Sequence, residues 1–432
     1  MSKTLRSRTG CWTCRNDGYK CDEKKPFCRR CLRLHKTCSY GARLRWRTNT
    51  SSNASGERPD KPVQQGTQAV VPMTRIPDVK FGDEKLVHHW HTTLADVISM
   101  SARPNNPFLS HLTRFISQPC ALRSVVTSMA ASHLAILNPN SNLDVLAIQH
   151  RLQAVIYLRE SIATAHPETS LATIILLLIA EKVFTTDSKI DHLEGAKALI
   201  RRNGGPRAWS SSAGQFLLGV CWYHDVLSSV SKRRPLLLDL ENQLVEGLPN
   251  LSNLSLVLSL VGEISKLGSD LEKGGGDGEA AHAIFSQLVL LEESEPLDTN
   301  SRNVEIFRQA AFIYFYRSTT PTEFSNSCIQ HHARLCLEHL ANIPCSSPLI
   351  SSHVWPLFTA GCETVDPDMK EFVLQRLDDM CQTRRLTYLE RVKQDIIGVW
   401  YMKNLRRGES GRDDIDCIHA IKNTHQREAD II

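Results

Sequence analysis

No stretch of about 18 or more apolar residues occurs in the chain, so no membrane-crossing helix is expected. The longest apolar run, Leu171 to Ala180 (LATIILLLIA), is the length of a buried core helix. Nothing apolar follows the basic opening MSKTLRSRTG. A secretory leader is therefore not expected, and the protein is expected to stay inside the cell. Residues 81–432 hold no G-x-S-x-G, no H-E-x-x-H, no Gly-rich phosphate loop and no G-x-G-x-x-G, and their carboxylates form no paired arrangement. Catalysis is not expected of such a body. Residues 48–80 contain no aromatic residue and no apolar periodicity, and are rich in Ser, Thr, Asn, Gln and Pro. That is the composition of a disordered linker. No sustained heptad appears there or just after Cys38, so these residues supply no coiled-coil dimerisation element.

What is present is uneven. The chain of 432 residues is 41% hydrophobic and 22% charged, an ordinary globular balance. Its net charge of +5 hides two opposite parts. Residues 1–47 carry 14 Lys/Arg against 3 Asp/Glu, a net of +11, and the remainder carries −6. A basic end on an acidic body points to a polyanionic partner for that end.

The 14 cysteines are equally lopsided: six lie in Cys11–Cys38 and eight are scattered from Cys120 to Cys417. In a reducing compartment a cluster of this kind reads as metal binding rather than as disulfides. The scattered eight read as small buried apolar residues. Cys11-x2-Cys14-x6-Cys21 is repeated as Cys28-x2-Cys31-x6-Cys38, with six residues between the halves. Structural zinc takes four tetrahedral ligands. One zinc would strand two of the six thiolates, and two separate zincs would need eight. Six suffice for two zincs if two thiolates bridge, and the repeat suggests one from each half. Such a cluster keeps a charge of about −2, which nearby Lys and Arg offset. About 28 residues bury too little core to fold alone, so metal binding would drive folding. A metallothionein-like store would not carry Trp12, Tyr19, Phe27 and so many basic residues.

The run Gly10–Arg15 (GCWTCR), then Lys20–Cys28 (KCDEKKPFC), then Cys31 and Cys38, resembles the fungal Zn2Cys6 binuclear-cluster transcription factors. The resemblance implies that Cys11 and Cys28 bridge two Zn2+ ions. Cys14 and Cys21 would complete one site, and Cys31 and Cys38 the other, with Pro26 turning the chain between halves. Tyr40–Trp46 (YGARLRW) resembles the segment after the cluster in one large subgroup. His192–Ala196 with Gly204-Gly205, Tyr223–Ser229, and Trp355–Glu363 resemble that subgroup's helical regulatory domain.

What the resemblance implies is a nuclear regulator of RNA polymerase II genes, serving metabolic or secondary-metabolite gene sets. It would bind double-stranded DNA at a G/C-rich triplet, through a short helix after the first cysteine pair. Its other partners would be transcription machinery or co-regulators, with a homodimer as a possible arrangement and no membrane. Arg15, Asn16, Lys20, Lys24, Lys25, Arg29, Arg30, Arg33, Lys36, Arg43 and Arg45, with Arg47 beyond, are the candidate DNA contacts. One departure stands out. Asp17 and Gly18 occupy positions where such factors usually carry base-reading cations. Arg or Lys donates to guanine O6 and N7, whereas Asp only accepts and would repel phosphate. Gly18 has no side chain and lowers helix propensity. An altered triplet, weak binding that leans on a partner, or an adaptor that has lost specific DNA binding all remain open. The expectation is weaker binding than a variant carrying Lys at both positions.

From about Phe81 the pattern turns helical, with breaks at Asn138-Pro139, Gly204-Gly205-Pro206, Pro321, Pro344 and Asp366-Pro367. Helices are expected over Leu122–Leu137, Leu171–Phe184, Ala310–Tyr316 and Cys328–Leu340. Leu152, Val155, Ile156 and Ile162 share one helix face. Gly268–Gly278 reads as a flexible loop. Leu290–Glu295 and Asp366–Met380 mix acidic and apolar residues and read as solvated helix faces. His88, His89 and His91, and His331 and His332, lack partners at ligand spacing and read as helix-surface histidines. The expected architecture is a small zinc cluster (1–47), a disordered linker (48–80) and a large all-α domain (81–405), with a frayed tail (406–432).

Overall fold

The computed structural model describes residues 10–38 other than 12, 15, 16, 25–27, 35 and 37. It also describes residues 82–421 other than 186–189, 239, 241–251, 276–277, 292–297, 320–324, 411–414 and 419. The chain forms two compact units, Met1–Ile76 and Pro77–Ile432. Among the described residues there is no strand. Arg15, Asn16, Lys25, Pro26, Arg43, Arg45, Arg47 and the linker 48–80 lie outside the described residues.

In the first unit a helical turn at Thr13–Cys14 follows the first cysteine, and helix α1 (Arg29–Arg33) follows the fourth. Each sits at the same place in its half of the repeat. The six cysteines are all buried and form a cluster of their own.

The second unit is a stack of helices. It opens with α2 (Asp83–His89), which runs on through a π-helical turn at Trp90–Leu94 into Ala95–Ile98. Short α3 (Pro107–Leu112) follows, capped by Asn106, whose carboxamide oxygen accepts from the Phe108 N–H at 3.0 Å. Then come α4 (Ala121–Leu137), α5 (Leu143–Ser161), α6 (Pro167–Phe184), α7 (His192–Arg202) and α8 (Ser212–Lys232). The remainder is α9 (Ser255–Glu272), α10 (Gly278–Leu290), α11 (Thr299–Thr319), α12 (Ser325–Ala341), α13 (Val354–Glu363), α14 (Pro367–Arg384) and α15 (Tyr388–Ser410). Pro167 and Pro367 each sit at a first helical position, where the missing N–H costs nothing.

Three helices are inner ones. Every residue from Leu171 to Ala180 of α6 is buried, as is all of α13 and nearly all of α8. A helix that is apolar all round belongs at the centre of a fold, which is why the run LATIILLLIA has no polar face. The helix α9 packs on α8 and α11, α11 on α12 and α13, and α14 and α15 close over α13. At the end of α13 the Glu363 carboxylate, 1% exposed, accepts from Arg317 at 3.0 and 2.5 Å and from Lys403. Trp400 Nε1 donates to the Gly361 carbonyl at 2.8 Å. The segment Trp355–Glu363 is thus a core helix with a buried ionic knot at its end.

Several sequence expectations meet a different outcome. The helix α9 continues to Glu272, so Gly268 lies within it, against Ser318, and the loop begins at Lys273. The helix α15 continues to Ser410, and Cys417, Ile418, Ala420 and Ile421 are buried, with Asp416 paired to Arg233. An apolar minority in a polar tail is enough to dock it. His88 and His331 are exposed, but His89 bonds His133 at 2.8 Å and His332 bonds Gln309 at 2.6 Å and stacks on Phe312. In α5 the expected helix is present, and the shared face of Leu152 and Val155 is its outer one. Its inner face is made of Ala147 and Ala154, which let it close against α4, and Ser128 Oγ donates to the Ala147 carbonyl at 2.7 Å. Leu152 and Val155 are on the outer side, 55% and 39% exposed.

Candidate metal centre and nucleic-acid interface

The six thiols form two overlapping quartets: Cys11, Cys14, Cys21 and Cys28, and Cys11, Cys28, Cys31 and Cys38. Within each quartet the sulphurs lie within 4.8 Å of one another. Cys11 and Cys28 are common to both, with their sulphurs 3.7 Å apart. Cys14 lies 3.6 Å from Cys28, and Cys31 lies 3.6 Å from Cys11. A zinc tetrahedron with bonds near 2.3 Å has edges of roughly 3.8 Å between sulphurs. The donor set, all sulphur, and its spacing fit two zinc ions.

The backbone around the sulphurs repeats with the sequence. Cys14 N–H points to the Cys11 sulphur at 3.5 Å, and Cys31 N–H to the Cys28 sulphur at 3.4 Å. Cys11 N–H points to Cys21 at 3.4 Å, and Cys28 N–H to Cys38 at 3.2 Å. N–H groups aimed at sulphur favour the thiolate form. Burial raises the thiols of Cys11 and Cys14 and takes Cys31 up to about 12. At Cys28 burial is outweighed by the Cys31 N–H and the neighbouring thiols, and its pKa falls to about 6.

Two glycines are fixed by this geometry. A Cβ on Gly10 would lie 2.6 Å from the Cys21 Cβ, so only glycine lets the two segments approach. Gly18 has φ +78°, in the left-handed region. Asp17 N–H bonds the Thr13 carbonyl at 3.0 Å, and Tyr19 N–H bonds the Cys14 carbonyl at 2.9 Å. Gly18 therefore ends the turn after the first cysteine pair, a C-terminal glycine role.

Asp17 faces the second half of its own module. Its Oδ2 accepts from Arg30 Nη1 at 2.9 Å and from Lys36 Nζ at 2.9 Å. The hydrogen bond from Lys36, and then that from Arg30, hold its carboxyl below the ordinary value. The Arg30 guanidinium lies 4.1 Å over the Tyr19 ring and its Nη1 is 3.9 Å from the Cys14 sulphur. Asp22 does similar work locally: both its oxygens accept from the Arg29 N–H, at 3.2 and 3.3 Å, at the start of α1. Two of the candidate cations, Arg30 and Lys36, are thus brought together on Asp17. Lys20, Lys24, Arg29 and Arg33 are exposed around the cluster. The aspartate clamp and the Gly10 contact were missed in the sequence. Only the charge of Asp17 among so many cations signalled the former.

Comparison with known proteins agrees with this architecture. The family described as "Fungal Zn(2)-Cys(6) binuclear cluster domain" matches residues 9–47, and "Fungal specific transcription factor domain" matches residues 85–425. Transcription activator AMTR1 of Alternaria alternata is 44% identical over 62 residues, 14% of this chain and 8% of that protein. Pestheic acid cluster transcriptional regulator 3 of Pestalotiopsis fici is 50% identical over 50 residues, 11% of this chain and 9% of that protein. The thiamine biosynthesis regulatory protein of Saccharomyces cerevisiae is 46% identical over 41 residues, 10% of this chain and 9% of that protein. The chain therefore spans about a tenth or less of the length of these relatives. No solved structure matches. With six clustered thiols and a matching cluster domain, the cofactor of the first unit is a binuclear zinc cluster. The chain belongs to the fungal Zn2Cys6 transcription factors, with a binuclear cluster domain followed by a fungal specific transcription factor domain.

Proposed function

We propose that the chain is a nuclear, zinc-dependent regulator of RNA polymerase II genes that recognises a short DNA site through its first 47 residues. The observation that carries this reading is the pair of thiol quartets sharing Cys11 and Cys28 inside a shell of exposed cations. Cys11, Cys14, Cys21, Cys28, Cys31 and Cys38 would hold the two zincs, with Cys11 and Cys28 common to both sets of four. Zinc supplies the folding free energy of the module and polarises no substrate. Lys20, Lys24, Arg29 and Arg33 hold phosphates, with Arg15, Asn16, Lys25, Arg43 and Arg45 as further contacts. Arg30 and Lys36 contribute less, being engaged by Asp17. Phosphate contacts position the module and base contacts specify the sequence. The site is a G/C-rich triplet with altered preference, since Asp17 stands at a base-reading position. Two copies act together, and the controlled genes form a metabolic or secondary-metabolite set. The names of two relatives, which mention a pestheic acid cluster and thiamine biosynthesis, lend support to such a set. The helical body is regulatory rather than enzymatic.

The engagement of two cations by Asp17 also favours a second reading, a zinc-stabilised adaptor with weakened DNA specificity. A genome-wide occupancy map separates the two. Discrete peaks sharing a triplet motif support the regulator, and the absence of any enriched motif supports the adaptor.

A further inference from the structure

The inner helices α6 and α8 wall a cavity of about 90 Å³ that is open on one side. Residues 97–101, α3, the turn at Pro348–Ser352 and the junction of α14 with α15 supply the rest of its wall. Most of the lining is carbon, with Met100, Phe108, Phe216, Val220 and Met380 among it. Phe108 and Phe216 meet edge to face there, 5.1 Å between ring centres. A packing gap would be lined by carbon throughout and stay dry. This cavity is also lined by Lys182, His224 and Arg384, and no Asp or Glu lines it. An apolar cleft with a few polar groups set into it is the usual form of a small-molecule site.

The polar groups are short of partners. His224 is 7% exposed, and its Nδ1 is buried with no hydrogen bond among the described residues. Burial, and then the charge of Lys182, keep the imidazole neutral, so one ring nitrogen carries a proton to donate. A buried donor or acceptor left without a partner is costly. Arg384, 8% exposed, gives Nη1 to the carbonyls of Asp96 and Val97 and Nη2 to that of Ser347, while its Nε is buried without a partner. Asp96, whose charge it feels, is itself paired with Arg103 at 2.6 Å.

The cavity therefore offers positive charge and an unused hydrogen-bonding ring on its polar part, and carbon elsewhere. A carboxylate complements the first, since a charged acceptor makes the stronger kind of hydrogen bond. A short apolar body complements the second, and the volume leaves no room for a large cofactor. We propose that this cavity binds a small monocarboxylic acid with an apolar body. Its carboxylate accepts from His224 and is offset by Lys182 and Arg384, and its body lies against Phe108, Phe216 and Met380. Such a ligand joins the inner helices to the α14–α15 junction. The inference goes beyond the DNA-reading proposal and stands or falls without it.

The test is methyl NMR of the zinc-loaded full chain, labelled at its methionines, at pH 7. Phenylacetate and hexanoate are titrated to about 5 mM, each beside its neutral amide. Of the seven methionines, Met100 and Met380 line the cavity, whereas Met129, Met369 and Met402 do not. Both acids should shift Met100 and Met380 saturably and leave the other three in place, and the amides should bind at least tenfold more weakly. No saturable shift with either acid overturns the site. Equal affinity for acid and amide overturns the anionic class, and shifts that spare Met100 and Met380 overturn the location without any variant. His224→Phe keeps the bulk of the ring without its nitrogens and should weaken both acids at least tenfold. Lys182→Met should bring acid and amide within about threefold of each other. Unchanged affinity in either variant, with a wild-type circular dichroism spectrum, overturns the role given to that residue.

Discussion

Asp17, in the first cysteine half, holds Arg30 of the second half at 2.9 Å while Lys36 reaches the same oxygen at 2.9 Å. A residue that stands where a base-reading cation would be expected is thereby a clamp between the two halves. Asp17→Asn should release both cations toward DNA. Duplex affinity at low salt should rise severalfold. The slope of log K against log salt should steepen by up to about two units, roughly one per phosphate newly engaged. Fluorescence anisotropy across a salt series measures both. An unchanged slope would show that the cations already reach phosphate with Asp17 in place.

Gly10 and Gly18 respond differently to substitution. Gly10→Ala drives a methyl group into the Cys21 Cβ at 2.6 Å, against a buried cysteine whose sulphur belongs to the first quartet. Zinc release to a chromogenic chelator should accelerate at least tenfold. A Cβ at Gly18 meets nothing within 4 Å, and the only obstacle is φ +78°. Gly18→Ala should cost about 1 kcal/mol and leave the metal in place. The same strain applies to Gly18→Lys, so a cation gained there comes with a weaker helix stop.

Chelation of zinc should abolish DNA binding while leaving most helical signal intact. The helices of the second unit hold no part of the two quartets. Far-UV circular dichroism before and after chelator, with a count of reactive thiols, measures this. Six thiols should become reactive as two zincs leave, and a collapse of the whole spectrum would contradict it.

Glu363 is the anion shared by Arg317 and Lys403 in the core. Glu363→Ala removes the carboxylate that these two buried cations share. Removing one member of such a group costs about 3–5 kcal/mol. The denaturation midpoint of the helical unit should fall accordingly, whereas Glu338→Ala at the exposed Arg334 pair should change it little.

The helical unit should also weaken in mild acid. Burial, then Lys182, takes His224 down to about 3, and burial, then Arg376 and Arg384, takes His353 to about 3. Both are neutral in the fold, so below the ordinary 6.5 the unfolded chain gains protons that the folded chain refuses. Stability is complete above about pH 6.5 and declines as pH falls toward 3. By pH 5 the loss is about 2 kcal/mol per histidine. Urea midpoints at pH 7 and pH 5 measure it, and His353→Gln should show a shallower decline.

The cysteine spacing carried the metal centre because ligand counting depends on residue type and interval alone. The run Leu171–Ala180 carried its own burial for a similar reason: it has no polar side to expose. Asp17 was legible as a charge but not as a clamp, because its partners are 13 and 19 residues away and only folding sets their distance. The face of α5 was legible as a face but not as an inner or outer one. Periodicity in Leu152 and Val155 shows that a helix has an apolar side, and says nothing about what that side meets. The alanines opposite, Ala147 and Ala154, mark the true inner face, since small side chains are what allow α4 to approach.

The four N–H contacts to sulphur are the same in both halves of the repeat, while the side chains around them are not. The sulphurs are therefore supported twice over by the same backbone pattern, and outward chemistry is left to side chains that this pattern does not use. Such a module can change what it touches without changing the contacts around its sulphurs. Asp17 is such a residue: an acid at the rim that ties the two halves together from outside, through Arg30 and Lys36.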